Sequence, residues 1–261
     1  QIIKSVFNYT KEHYRAIAFI DMKSFYASVE CVALGLDPLT TSLCVMSQAD
    51  NSGGLILASS PTFKQVFGKS NVGRSRDLPF YTTTRRFNYQ NYYRTVTRDW
   101  LSRAPEPTPS HVAFIESWAK RTIMTPPRMS AYIDKNMEIQ HIIQNFAAVD
   151  DICWYSIDEG FVDLTESLSY FYPDKNLTPA QKLDAISHDI QVAIYQQTGL
   201  YATIGMSIGN PLLAKLSLDN AAKHTPNMRA LWTYDTIAET VWQIPDLTDF
   251  WGISRRTAKR L

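Results

Sequence analysis

The chain has 261 residues, 45% hydrophobic and 20% charged, with a formal net charge of +1. These values exclude a disordered or fibrous protein, and they leave room for two or three small domains with real cores. No apolar run reaches the length of a membrane span, no charged-then-apolar leader follows Gln1, and Cys31, Cys44 and Cys153 lack metal-site spacing, so the sequence reads as a cytoplasmic protein with buried, reduced thiols and no membrane partner.

In chain order, residues 1–13 form an extension ahead of a first strand at 14–21. A helix follows at 24–34, with Ser24 as its expected N-cap. Short strands are expected at 42–46 and 55–58, joined by the turn-rich run Asp50-Asn51-Ser52-Gly53-Gly54. Ser60-Pro61 opens a helix that runs to about Gly68. Residues 81–110 are polar, aromatic and basic and end in a proline cluster, which predicts a loop. A helix at 111–122, a break at Thr125-Pro126-Pro127-Arg128, a strand near 129–133 and a helix near 135–147 come next. Thr178-Pro179-Ala180 opens a long amphipathic helix with Leu183, Ile186, Ile190 and Ile194 on one face. A strand at 203–208 and a helix at 211–222 complete the series. With the excursion after the first strand set aside, the order is a split βαβ. That layout predicts an antiparallel sheet with helices on one face and an open face opposite.

Charge is unevenly distributed. Residues 61–103 carry nine Lys or Arg against two Asp, whereas residues 104–261 carry thirteen basic against eighteen acidic side chains. The first region suits phosphate, and the second has carboxylates to offer a cation.

The most telling run is Cys153-Trp154-Tyr155-Ser156-Ile157-Asp158-Glu159-Gly160-Phe161-Val162-Asp163-Leu164. Apolar residues on both sides of two adjacent acids predict a buried β-hairpin whose tip presents charge. Two carboxylates held that close repel each other and are costly to desolvate, and a divalent cation offsets both. Asp21, at the end of the first strand, is the third candidate. Oxygen-only ligation of this kind suits Mg²⁺ or Mn²⁺ and the handling of phosphates.

The segments Asp21-Met22-Lys23-Ser24-Phe25-Tyr26-Ala27-Ser28-Val29-Glu30 and Tyr155-Ser156-Ile157-Asp158-Glu159 resemble the two catalytic motifs of Y-family translesion DNA polymerases, closest to the UmuC-like (ImpB/MucB/SamB) branch of Gram-positive bacteria. Asn210-Pro211-Leu212-Leu213-Ala214-Lys215 and Ala221-Ala222-Lys223 resemble the late palm segment, and the stretch from Trp251 to Leu261 resembles the start of the thumb's helix-hairpin-helix. The resemblance implies an α+β fold: a ferredoxin-like palm with an antiparallel sheet, a small fingers domain inserted after the first strand, and a partial helical thumb. The implied divisions are palm at 1–25 and 129–230, fingers with an extended insert at 26–128, and partial thumb at 231–261. It also implies a chain that stops before the family's little-finger domain.

The same resemblance implies template-directed nucleotidyl transfer in DNA-damage repair and the SOS response. Asp21, Asp158, Glu159 and the Met22 carbonyl would hold two Mg²⁺ ions, with Mn²⁺ a possible substitute. Tyr26 would be a steric gate against the ribose 2′-hydroxyl, with Phe25 beside it. Lys223 and Lys64 would contact the triphosphate of an incoming dNTP. Arg85, Arg86, Gly252 and Ser254 would touch primer-template DNA, and a sliding clamp or SOS accessory protein would be a partner. This chain departs from the family pattern at Lys23, where many relatives carry a second acid, and at Ser254, where a glycine is usual. A nucleotide cyclase on a similar palm fits poorly with the Phe25-Tyr26 pair and the thumb-like tail. A non-catalytic DNA-damage-response module that binds DNA fits poorly with an intact set of three acids.

Overall fold

Local signals in the sequence set most helix ends. A computed structural model describes residues 8–47, 53–68, 73–96 and 105–261. They divide into two compact units, one formed by residues up to Met22 together with Asn136–Leu261, the other by Lys23–Lys135. Most of the expected turn at Asp50–Gly54 lies outside the described residues. Among the described residues, no helix is long and apolar enough to cross a membrane.

In chain order, β1 (Arg15–Met22) is followed by the second unit. That unit contains α1 (Phe25–Ala33), β2 (Leu43–Met46), β3 (Ile56–Ser59), α2 (Pro61–Phe67), α3 (Tyr89–Val96), α4 (Pro109–Arg121) and β4 (Ile123–Thr125). The helix α5 (Met129–Ile143) leads back to the first unit, which continues with β5 (Ile152–Trp154), β6 (Glu159–Asp163), α6 (Ser167–Phe171), α7 (Pro179–Thr198), β7 (Ala202–Gly209), α8 (Pro211–Asn220), β8 (Arg229–Thr233) and α9 (Arg255–Ala258).

The fold is mixed α+β. In the first unit the strand order is β5-β6-β1-β7-β8. β1 lies antiparallel to both β6 and β7, and the β5–β6 hairpin forms one edge. Taken in sequence, β1, α5, β5, β6, α7 and β7 form a β-α-β-β-α-β series with the first strand between the hairpin and the last strand. The sheet is not wholly antiparallel: β8 adds to β7 in parallel, with α8 as the crossover. The sequence reading lacked this strand, whose five residues are all half-buried and show no period of two.

One face of the sheet is covered by α7, whose Leu183, Ile186, Ile190 and Ile194 are fully buried. Thr178 caps α7 with a reciprocal bond to Gln181, Pro179 fills its first turn, and Gly199 closes it in the left-handed region. The opposite face is not open, contrary to the expectation. α8 packs there, bringing Ala214 and Leu218 against Ile17 and Phe19 of β1. Its backbone reaches the sheet because Gly205 has no side chain. A Cβ at Gly205 would lie 2.3 Å from the Leu218 nitrogen and 2.4 Å from the Ala214 oxygen.

The second unit has its own core. Met46, Ile56, Phe63, Phe67, Leu78, Phe80, Phe87 and Ile115 cluster together over the three-stranded sheet β3-β2-β4. The stretch from 81 onward is therefore partly built into a core rather than being a plain loop. It contains α3, started by Asn88, whose side chain accepts from the Asn91 amide. The strand expected at 129–133 is helix instead, because Tyr132, Ile139, Ile142 and Ile143 form one buried helical stripe through α5. Ser24 precedes α1 but makes no side-chain cap bond, and its φ is 48°. Cys31 and Cys44 are buried, whereas Cys153 is exposed on the edge strand β5, which corrects the expectation of three buried thiols.

Asp163 provides a pH-sensitive tie at the far end of β6. Burial pushes its carboxyl up, but hydrogen bonds from Arg15 and Thr165 outweigh that and hold it below the usual carboxylate range. The Arg15 Nε lies 2.7 Å from Oδ2, and the Thr165 hydroxyl donates to Oδ1 at 2.6 Å. A carboxyl lowered on folding adds stability above its unfolded value and loses it as pH falls through the lower folded value. Asp163→Asn should therefore cost about 1 kcal/mol near neutral pH, a modest amount because Arg15 is half-exposed. The gap between parent and variant should close as pH falls below the ordinary aspartate range and through the lowered folded value, as read by urea unfolding across pH.

Candidate functional site

Asp21 and Glu159 meet because β1 and β6 pair in a register that sets them directly opposite each other. Opposed residues of an antiparallel pair share a face and lie about 5 Å apart at Cβ. Asp158 ends the hairpin loop one residue earlier, and its carbonyl accepts the Met22 amide at 2.9 Å. Hairpin tip and strand end are thus laced together at the three acids. Ser156 donates its hydroxyl to Asp158 Oδ1 at 3.1 Å. Asn136 of α5 donates to the Ile157 carbonyl at 2.6 Å and is itself held by Gln140 at 2.6 Å.

A second row of charge comes from α8. Lys215, Asp219 and Lys223 recur every four residues, so they line one side of the helix and the turn that follows it. Buried Lys215 donates to Glu159 and, at 3.2 Å, to Asp219. Lys223 lies 2.6 Å from Asp21 and 3.1 Å from Asp219. The result is a continuous chain Glu159–Lys215–Asp219–Lys223–Asp21. Lys215 and Asp219 are not among the expected site residues, and Lys223 is expected there only through the family resemblance; the four-residue spacing of the three is a signal that points to them together.

The acids carry more negative charge than the lysines neutralise. Burial pushes the Asp21 carboxyl up, and neighbouring Asp158 and Glu159 add to that against the opposing pull of Lys223. Burial likewise pushes Asp158 up, with Glu159 adding to it and Ser156 opposing it. Lys223 is affected oppositely: burial works to lower it, but Asp21 and Asp219 hold it protonated well above the ordinary lysine range. Tyr155 packs edge-on to Phe19 at 6.0 Å between ring centres, and burial and then Glu159 push its phenol up.

Among the described residues, no group of three or more His, Cys, Asp or Glu stands arranged as a metal centre. Asp21 and Glu159 hold ammonium groups in this arrangement. The donor chemistry nonetheless fits a hard divalent cation: the three acids offer only oxygen, converge at one strand end and retain uncompensated charge. A cation would take the place of the ammonium groups.

The other predicted residues fall as follows. Phe25 is buried and Tyr26 half-buried on α1. Lys64, on α2, donates to the Ser24 hydroxyl at 3.2 Å. Arg85, with φ 61°, directs its guanidinium to the carbonyls of Ala119 and Thr122 at 3.1 and 2.9 Å. It closes the end of α4, and that geometry gives Arg85 a structural use, whereas Arg86 is exposed. Gly252 takes φ 85°, and Ser254 is extended and caps α9 by accepting from the Thr257 amide. The left-handed position therefore falls on the glycine, and Ser254 introduces no strain.

Three comparisons bear on this arrangement. A profile of the impB/mucB/samB family matches residues 109–219. UvrX, a candidate UV-damage repair protein of Bacillus subtilis (strain 168), is 28% identical over 97% of this chain and 48% of its own length. DNA polymerase IV 2 of the same organism is 29% identical over 95% of this chain and 47% of its own. The chain thus spans about half the length of the curated relatives it matches. Among solved structures, DinB from Sulfolobus solfataricus superposes with a TM-score of 0.57 at 20% identity, covering 94% of this chain and 56% of that one. An insertion ternary complex of Dbh DNA polymerase gives 0.60 at 19% identity with the same coverage. At that identity the likeness establishes the fold.

Proposed function

The chain is a relative of the Y-family (impB/mucB/samB) DNA polymerases over nearly its whole length, and from that premise we propose that it is the catalytic portion of a template-directed, error-prone translesion DNA polymerase. The single observation that carries this reading is the pairing of Asp21 with Glu159 across β1 and β6, beside Asp158. In this reading 1–25 and 129–230 serve as palm, 26–128 as fingers and 231–261 as the beginning of a thumb.

Asp21, Asp158, Glu159 and the Met22 carbonyl would hold Mg²⁺. A cation held there would supply the positive charge that lowers the pKa of a primer 3′-hydroxyl and offsets the charge of the triphosphate. The chain's own residues supply position and charge. With a cation held there, Asp21 and Glu159 would give up their lysine partners. Lys223, already protonated and only partly buried, would turn to the triphosphate of the dNTP, and Lys64 is assigned a phosphate-binding role. Asp219 keeps Lys215 and Lys223 within reach of both partners. Arg86 and the Gly252–Ser254 hairpin are assigned to backbone phosphates of primer-template DNA. A clamp or SOS accessory protein remains the proposed partner of the whole protein.

Primer extension by the intact protein with Mg²⁺ and four deoxynucleotides tests the reading. A polymerase gives template-dependent product. Consumption of a nucleoside triphosphate without template would indicate a cyclase instead, and a DNA mobility shift without product would indicate a binding module. Tyr26 is assigned the steric gate. Tyr26→Ala should lower the preference for dNTP over rNTP by about 100-fold or more, as measured by single-nucleotide incorporation, because the ring that excludes a 2′-hydroxyl is gone.

A further inference from the structure

A gate that works by collision is only as selective as its support is stiff. If the ring can retreat, the 2′-hydroxyl costs no more than the displacement. Within the second unit, Tyr26 lies face to face with Tyr132, with ring centres 4.3 Å apart and planes 12° from parallel. Tyr132 is fully buried, and its hydroxyl donates to Glu30 Oε1 at 2.8 Å. Glu30 is itself only 4% exposed, and Arg128 grips it from the solvent side. The Arg128 Nε and Nη2 donate to the carboxylate at 3.1, 3.2 and 2.9 Å. Tyr26 and Glu30 are one turn apart on α1, and Arg128 and Tyr132 are one turn apart at the start of α5. Two rungs therefore join the helices, a ring stack and a charge-assisted hydrogen-bond cluster, and Tyr132 belongs to both.

A buried carboxylate holds its partners firmly, because an unpaired charge there is costly. That stiffness passes to the Tyr132 ring plane through its hydroxyl, and from the ring to Tyr26. We infer that Tyr132, anchored by Glu30 and Arg128, is a positioning residue that sets the sugar selectivity of Tyr26. Tyr132 touches no reacting atom in this account and acts only through the ring it supports. The inference rests on the reading of Tyr26 as the gate.

The test is single-nucleotide incorporation by the intact protein, with kcat/KM for a dNTP and its rNTP measured on one template. Tyr132→Phe keeps the stack and the fold but removes the anchor. It should lower the dNTP/rNTP ratio about 5-fold while dNTP kcat/KM stays within about 3-fold of the parent. Glu30→Gln should lower the ratio in the same direction. Tyr26→Ala combined with Tyr132→Phe should lower it no further than Tyr26→Ala alone, the signature of one coupled unit. Loss of stability alone would scale both sugars together and leave the ratio unmoved. A parental ratio in Tyr132→Phe beside a collapsed ratio in Tyr26→Ala overturns the inference and leaves the gate standing. A parental ratio in Tyr26→Ala removes the gate itself, and the inference with it.

Discussion

Asp158→Asn should, in the polymerase reading, lower template-directed nucleotide addition by at least about 10³-fold, while the melting temperature stays level or rises. The two halves of this expectation share a cause. Asp158 is held by the hairpin and by the hydroxyl of Ser156, and burial beside Glu159 pushes its carboxyl up. A carboxyl raised on folding contributes stability below its unfolded value and loses it as pH rises through the folded value. At neutral pH the charge is therefore held against the preference of the fold. Asparagine keeps the shape and removes the charge, so the strain is relieved while the proposed cation loses a ligand. Steady-state primer extension and a thermal melt, made on the same preparation, check both halves. Undiminished extension would take Asp158 out of the reaction. A melting temperature well below that of the parent would show that the residue is there for the fold.

Gly205→Val should lower the melting temperature by roughly 5–10 °C, corresponding to about 2–3 kcal/mol of overpacking. Gly205 pairs with Phe19 on one side and Ala230 on the other, so its missing side chain faces α8. The atoms a Cβ would strike are the Leu218 nitrogen and the Ala214 oxygen, which belong to backbone and cannot swing aside. Either the helix or the strand must give way. α8 carries Lys215 and Asp219 and leads to Lys223, so displacement of the helix moves the ammonium groups away from the acids. In the polymerase reading, KM for the dNTP should rise with the loss of stability. Gly205→Ala should show the same pattern at smaller amplitude.

What the sequence disclosed was chiefly local. Ser60, Thr178 and Asn210, each followed by proline, cap α2, α7 and α8 where the residue pattern placed helices. The two acid-bearing segments were legible for a similar reason, since acids flanked by apolar strand residues are conspicuous. What escaped depended on tertiary context. Met129–Ile133 looks strand-like over five residues, and only the stripe continuing to Ile143 makes it helical. α3 is rich in tyrosine and polar residues, and its start at Asn88 is marked by one cap. The covering of the second sheet face by α8 follows from a single glycine meeting a helix backbone, which no periodicity reveals. The lysine–carboxylate chain was half legible: the spacing lies in the sequence, but that Lys215 turns to Glu159 and Lys223 to Asp21 depends on where α8 docks.

The crossover through α8 has one more consequence. The helix is bracketed by β7 and β8, Ser217 donates to the Ala230 carbonyl at 2.9 Å, and Arg229 is tied to Asp184 and Gln191 of α7 at 2.9 Å. Swinging the cationic helix outward would have to unzip the outermost strand in the same event, so the two should exchange their amide protons for deuterium as one cooperative block, with matched rates that, in the polymerase reading, slow together on addition of a nucleotide.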